Sequence, residues 1–234
     1  MSKKLDLKKS LSHLYQPGSK EAHIVEVPEM KFLMIDGSGD PNTSASYQHA
    51  VQALYGVAYA LKFMAKKELS RDYVVMPLEG LWWGTPLRKT TFTPEDKAQF
   101  QWRMMILQPE FITELMIDRA IVDVNQKKNL AGLEQMRFES FEEGLCVQVF
   151  YVGPYDDEGP TIQRMNQFAF DQGYQLRGKH HEIYLSNPQR TDPTRLKTIL
   201  RHPIENEALD APGESRDKSN KRSKMLENWF RILV

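Results

Sequence analysis

The chain has one cysteine, Cys146, among 234 residues. A lone thiol forms no internal disulfide, so no covalent staple frames the fold, and the usage suits a reducing compartment. Cys146 lies in the apolar run LCVQVFYV, where a thiol reads as a small buried hydrophobe rather than a reactive group. Long hydrophobic runs are missing too. No stretch approaches the roughly 20 apolar residues of a spanning helix, and the opening MSKKLDLKKS lacks the apolar core of a secretory signal. The expectation is a cytoplasmic protein with no membrane partner, in which the sequon Asn42-Thr43-Ser44 is a chance match. Charge of one sign is also lacking. Lys+Arg 31 balances Asp+Glu 31, so no basic field points to nucleic acid.

Familiar catalytic signatures are equally scarce. Gly37-Ser38-Gly39-Asp40 does not carry the glycine fingerprint of a phosphate loop, and no GxSxG elbow occurs. His180-His181-Glu182 is not a metal motif, because consecutive strand residues point to opposite faces and HExxH needs helical spacing. No metal and no cofactor is expected. The lysines of 3–9 and 218–224 read as solvated arms.

What the chain does contain is an internal repeat. HIVEVPEMKFLMIDGSGDP, a helix-like stretch and YVVMPLEGLWWG are followed later by MRFESFEEGLCVQVFYVGPYDD, another helix-like stretch and LRGKHHEIYLSNP. So aligned, Glu79 and Glu182 are equivalent. In the first copy, short runs at 23–27 and 31–36 read as a hairpin. Tyr47, Ala50, Val51, Leu54, Ala58 and Leu61 mark a helix over 44–66. VVMPLEGLWW is a strand interrupted by Pro77 and Gly80, and 99–106 alternates with period two. A connector helix follows Pro109 to about Lys128, with Pro109 as its first residue. In the second copy, 136–141 and 145–152 read as a hairpin, a helix runs from Pro160 to Gly173, and strands lie near 181–186 and 195–202.

The fold class expected is therefore α+β: duplicated strand–helix–strand–strand units forming antiparallel sheets, with helices on one side and a central ligand groove. The organisation is a loose N-terminal arm, 1–20, then one domain, 21–204. Its pseudo-repeats are about 21–108 and 134–204, joined by the helix near 110–128. The polar stretch 205–234 reads as a disordered tail; its end, MLENWFRILV, is open between a docking helix, a partner-binding segment and an appended remnant.

Alternation sorts the candidate site residues. Ile183 and Leu185 need the helical layer, so Glu182 and Tyr184 point away from it, into the groove. In the first copy Glu79, Leu81 and Trp83 share a face and Trp82 takes the other, unless Pro77 or Gly80 reverses the register. A carboxylate among aromatic rings is costly to desolvate, so its pKa rises and it serves as a base near neutral pH. Alternatively it stays ionised and attracts a cationic ligand held by cation–π contacts, or it is a surface glutamate paired with an arginine such as Arg103. Tyr151 and Tyr155 flank the Gly153-Pro154 turn, where a hydroxyl can donate to a developing oxyanion or simply close the turn.

The segments PEMKFLMIDGSGDP, YVVMPLEGLWW, FQWRMMILQP, EEGLCVQVFYVGPYDDEGPTI and HHEIYLSNPQRTDPTRLKTILRHPI together resemble the GyrI-like small-molecule-binding superfamily, over residues 20 to 204. The resemblance implies a duplicated fold with a central groove and a functional glutamate that lands on Glu182. Drug-sensing relatives carry a helix-turn-helix domain before the binding module; about 20 residues precede it here, so a transcription factor is not expected. The stand-alone branch includes hydrolases of cyclopropanoid DNA-alkylating natural products of the yatakemycin and duocarmycin type. That implies a small aromatic ligand and catalytic roles for Glu182, Tyr155, Tyr151 and Glu79. Trp82, Trp83, Phe100 and Tyr184 would hold the ligand. The alternatives are a non-catalytic binder or sensor of aromatic and cationic drugs, and a gyrase-interacting protein. A monomer or weak homodimer is expected.

Overall fold

Six α-helices and nine strands form among the residues that the computed structural model describes, 4–18, 20–84 and 94–206. The elements run α1 (Leu7–Ser10), α2 (Ser12–Tyr15), β1 (His23–Val27), β2 (Met30–Ser38), α3 (Ala45–Glu68), β3 (Leu78–Trp83), α4 (Pro94–Ala98), β4 (Gln101–Leu107), α5 (Glu114–Lys128), β5 (Arg137–Phe141), β6 (Gly144–Val152), α6 (Gly159–Asp171), β7 (Tyr174–Leu176), β8 (His180–Tyr184) and β9 (Lys197–Asn206). The class is α+β with an antiparallel sheet.

The strands form one continuous sheet in the order β1-β6-β9-β8-β3-β4-β2-β5, with β7 extending along β9. Neither expected hairpin forms. β1 pairs with β6 of the second copy, and β5 pairs with β2 of the first. Each copy thus lends its first strand to the other, and the β3–β8 pair joins the halves at the centre. The reason lies in the connections. Pro28-Glu29 and Glu142-Glu143 supply only two residues each between strands, and neither is the Asn-Gly or Asp-Gly type that favours a tight hairpin turn.

α3 begins at Ser44, whose hydroxyl accepts from the Tyr47 amide, and buries Ala50, Ala53, Leu54, Val57, Ala58 and Leu61. Small residues let it lie close on β2 and β4. α5 starts later than expected. Thr113 caps it, and Pro109 closes the preceding turn by accepting from the Ile112 amide. α6 packs through Met165 and Ala169 on Val147, Val149 and Leu200.

α3 and α6 cover one face of the sheet. Leu200, under α6, stands opposite Glu182, which is opposite Gly80, which is opposite Met104. Trp82 and Trp102 share that side and meet Tyr47 of α3. The N-terminal segment takes the other face, and there the expectation of a loose arm is overturned. Leu14 and Tyr15 are 0% and 1% exposed, and the main chain of His13 and Leu14 accepts from Gln148 and Arg201. Of the polar tail, 207–234 lies outside the described residues.

Candidate ligand cleft

Between α3 and α6, over the central strands, lies a cleft of about 1780 Å³. Its floor comes from alternate residues of β3 and β8. Leu78 and Trp82 on β3, and His180, Glu182 and Tyr184 on β8, all line it, because antiparallel partners share a face. Tyr47, Tyr55 and Tyr59 of α3 form one wall, Ile162, Gln163 and Asn166 of α6 the other. Glu182 and Tyr184 therefore face the helical layer, not away from it as alternation alone implied. The groove sits between the helices. Ile183 meets its apolar partners on the opposite face.

The floor is a connected aromatic and acidic surface. Trp82 Nε1 donates to Tyr184 Oη at 3.0 Å, and Tyr184 Oη donates to Glu182 Oε2 at 2.7 Å. Tyr47 stacks on Trp82 with ring centres 6.2 Å apart, and Phe100 packs edge-on at 5.9 Å. Tyr155 meets Tyr184 edge-on at 5.7 Å. Gly80, directly opposite Glu182, leaves the space that the Trp82 indole and Tyr184 hydroxyl fill. Burial pushes up the pKa of Tyr47, Tyr155 and Tyr184, with the Glu182 charge adding to each.

Trp82, Phe100, Tyr155, Tyr184 and Glu182 all border the cleft. Trp83 also borders it but stands on the opposite parity, with Lys179 Nζ 3.4 Å over its ring. Two expected residues are placed elsewhere. Tyr151 donates to the Pro154 carbonyl at 2.9 Å, closing the turn. Glu79 is fully buried on the other face, opposite Ile183 rather than Glu182. It accepts from Tyr15 Oη at 2.8 Å and lies 3.1 Å from His181 Nε2. A twofold axis perpendicular to the sheet preserves its faces. It therefore relates Glu182 to a residue of Gly80's parity, and the alignment that equates the two glutamates is displaced by one. Arg103, another suggested partner of Glu182, is engaged by Asp36 at 2.6 Å.

The cleft does hold a second carboxyl, one sequence reasoning missed. Glu158, at the start of α6, lines it and is 3% exposed. Burial raises its pKa well above the usual carboxylate range, and the nearby Glu182 charge raises it further. Its Oε1 has no hydrogen-bond partner among the described residues. The signal was the acidic run Asp156-Asp157-Glu158 ahead of Pro160, where an acid at a helix start is ordinarily read as a cap.

The GyrI-like small molecule binding domain model matches residues 20–205. The chain belongs to the GyrI-like family. Solved relatives agree over their whole length. An uncharacterized conserved protein from Listeria innocua is 39% identical, covering 86% of this chain and 100% of its own, with a TM-score of 0.78. A hydrolase from Listeria innocua is 37% identical over 86% of this chain and 100% of its own, TM-score 0.76. The structure of a hydrolase encoded by lin2189 of that organism is 39% identical over 87% of this chain and 100% of its own, TM-score 0.77. No curated protein matches the chain. As a GyrI-like domain this protein binds small molecules. No helix among the described residues is long and apolar enough to cross a membrane.

Proposed function

We propose that this GyrI-like protein hydrolyses cyclopropanoid DNA-alkylating compounds, in which a strained cyclopropane is conjugated to a dienone. The observation that carries the reading is the carboxyl pair. Glu158, 3% exposed in the cleft, has its pKa raised by burial and then by the nearby charge of Glu182, whose oxygen accepts from Tyr184, and aromatic rings wall the pair. Water attacks the cyclopropane methylene and Glu182 takes its proton. The ring C–C bond breaks, its electrons pass through the dienone to the carbonyl oxygen, where the Tyr155 hydroxyl donates a hydrogen bond, and Glu158 protonates the resulting phenolate. One base and one acid thus add one water across one bond. Trp82, Tyr47 and Phe100 stack the flat rings and exclude bulk water. Relatives at 37% and 39% identity are hydrolases, which supports turnover over binding alone.

Incubation with a duocarmycin-type alkylator should yield the ring-opened, hydrated product by mass spectrometry. Glu182→Gln should slow it by about a hundredfold or more while retaining affinity. Affinity without product in the wild-type protein sinks the hydrolase reading. It favours the second one, a non-catalytic binder of aromatic, cationic compounds, for which the same acids and rings supply charge and cation–π attraction.

A further inference from the structure

The acid pair leaves unused a set of polar groups on the α6 side of the cleft. Asn166 on α6 and His180 on β8 line the cleft and are 8% and 6% exposed. Among the described residues, Asn166 Oδ1 and both ring nitrogens of His180 are buried with no hydrogen-bond partner. His180 stands opposite Trp82 in the sheet, and its Nε2 lies 3.4 Å from Glu182 Oε1. Burying polar atoms unpaired is costly, and apolar side chains would fill these positions without that cost. Polar atoms that border a cleft can instead be satisfied by what enters it.

The neighbours define the charge of that guest. His202 lines the cleft with its ring 5.9 Å from that of His180. Burial, then the proximity of His180, lowers its pKa to about 3, so it adds no positive charge. Arg177 spends its guanidinium on the carbonyls of Ile204 and Glu143. Glu158 and Glu182 oppose an anion. What remains is an amide and an imidazole, each able to donate and to accept.

We propose that Asn166 and His180 form a polar subsite that takes an uncharged group bearing both a donor and an acceptor, in its simplest form a carboxamide, on a flat aromatic ligand. The subsite rests on the reading of the cleft as an aromatic-ligand site, and not on turnover. Its test therefore uses probes with no cyclopropane, 2-naphthamide and the similarly sized 2-ethylnaphthalene, titrated calorimetrically into the full chain. The wild type should prefer 2-naphthamide by about tenfold or more. Asn166→Leu and His180→Phe should each cut that preference to below about threefold, with 2-ethylnaphthalene affinity held or raised. Should Asn166→Leu fail to fold, Asn166→Ala reads the same preference. A wild type indifferent between the probes, or a preference that survives both substitutions, overturns the subsite. If neither probe binds, the aromatic cleft falls with it. If both bind but an alkylator is not turned over, only the hydrolase reading falls.

Discussion

At Gly80 a Cβ would stand 2.6 Å from the Met104 methyl, 2.8 Å from Trp82 Nε1 and 3.1 Å from the Tyr184 hydroxyl. The Met104 methyl can swing away; the indole, hydrogen-bonded to Tyr184, cannot without breaking that bond. Gly80→Ala should therefore tilt Trp82 off the floor, weakening aromatic ligands by about tenfold at a stability cost of about 1–3 kcal/mol; calorimetry and urea unfolding read the two. Tyr151→Phe tests the opposite case. Its hydroxyl is committed to the Pro154 carbonyl, so the change should cost about 1 kcal/mol and leave ligand affinity and turnover unchanged. At this scale the sequence is legible where a residue type has one role. Glu182 and the paired rings stand out by composition and family. Glu158 does not, because its function comes from burial that only the packed cleft creates.

The strand β8 divides its residues between two environments. His180, Glu182 and Tyr184 face the cleft, whereas His181 is buried below it between Glu79 and Glu143. Glu143 also meets Arg201, fully buried, at 3.3 Å. Burial disfavours the charged imidazole, but the Glu143 charge and the hydrogen bond that His181 makes to it, with the Glu79 carboxylate 3.1 Å from Nε2, outweigh this and raise the His181 pKa to about 9. For Glu143 burial is likewise outweighed, by His181 and then Arg201, and its pKa falls to about 2. Stability from His181 is complete below its ordinary value of 6.5 and is lost as pH rises through about 9. That from Glu143 is complete above 4.5 and is lost as pH falls toward 2. Between about pH 4.5 and 6.5 both contributions are complete, while Glu158, with its raised pKa, lowers stability as pH rises and His202, with its lowered pKa, increases it; the two oppose, so the melting temperature should change little across that window and decline on both sides. Glu79→Gln removes one partner of this buried set and should destabilise by about 3 kcal/mol or more, also lowering Tm, while leaving the cleft's ligand selectivity in place. A shift in selectivity without loss of stability would return Glu79 to the site. Strand alternation was readable here to the residue. What one sequence could not reveal is which face the helices cover, because His181 and Ile183 match a polar core under the N-terminal segment as well as they match solvent.

Across the whole molecule, the two copies are interlocked by exchanged strands. Local sequence conveys that β1 and β5 are strands; it does not convey their partners, since pairing depends on which edge is free once the rest of the sheet has formed. A fragment covering 1–108 lacks β6 and β5 and so leaves both β1 and the outer edge of β2 unpaired. It should show no cooperative unfolding by circular dichroism, and mixing it with 109–206 should restore a single transition. Independent melting of either piece would mean that the exchange is dispensable.

That interlock also orders events during synthesis. β1 emerges early, yet Gln148, opposite His23, is made long afterwards, and Leu14 waits for Arg201, 187 residues further on. Until the last strands leave the ribosome, the amino-terminal strand and the aromatic residue that caps the buried acid have nowhere to dock. The nascent chain carries an exposed strand edge for most of its translation, the state in which chains associate wrongly, and ribosome stalling just before β9 should trap it open to proteases.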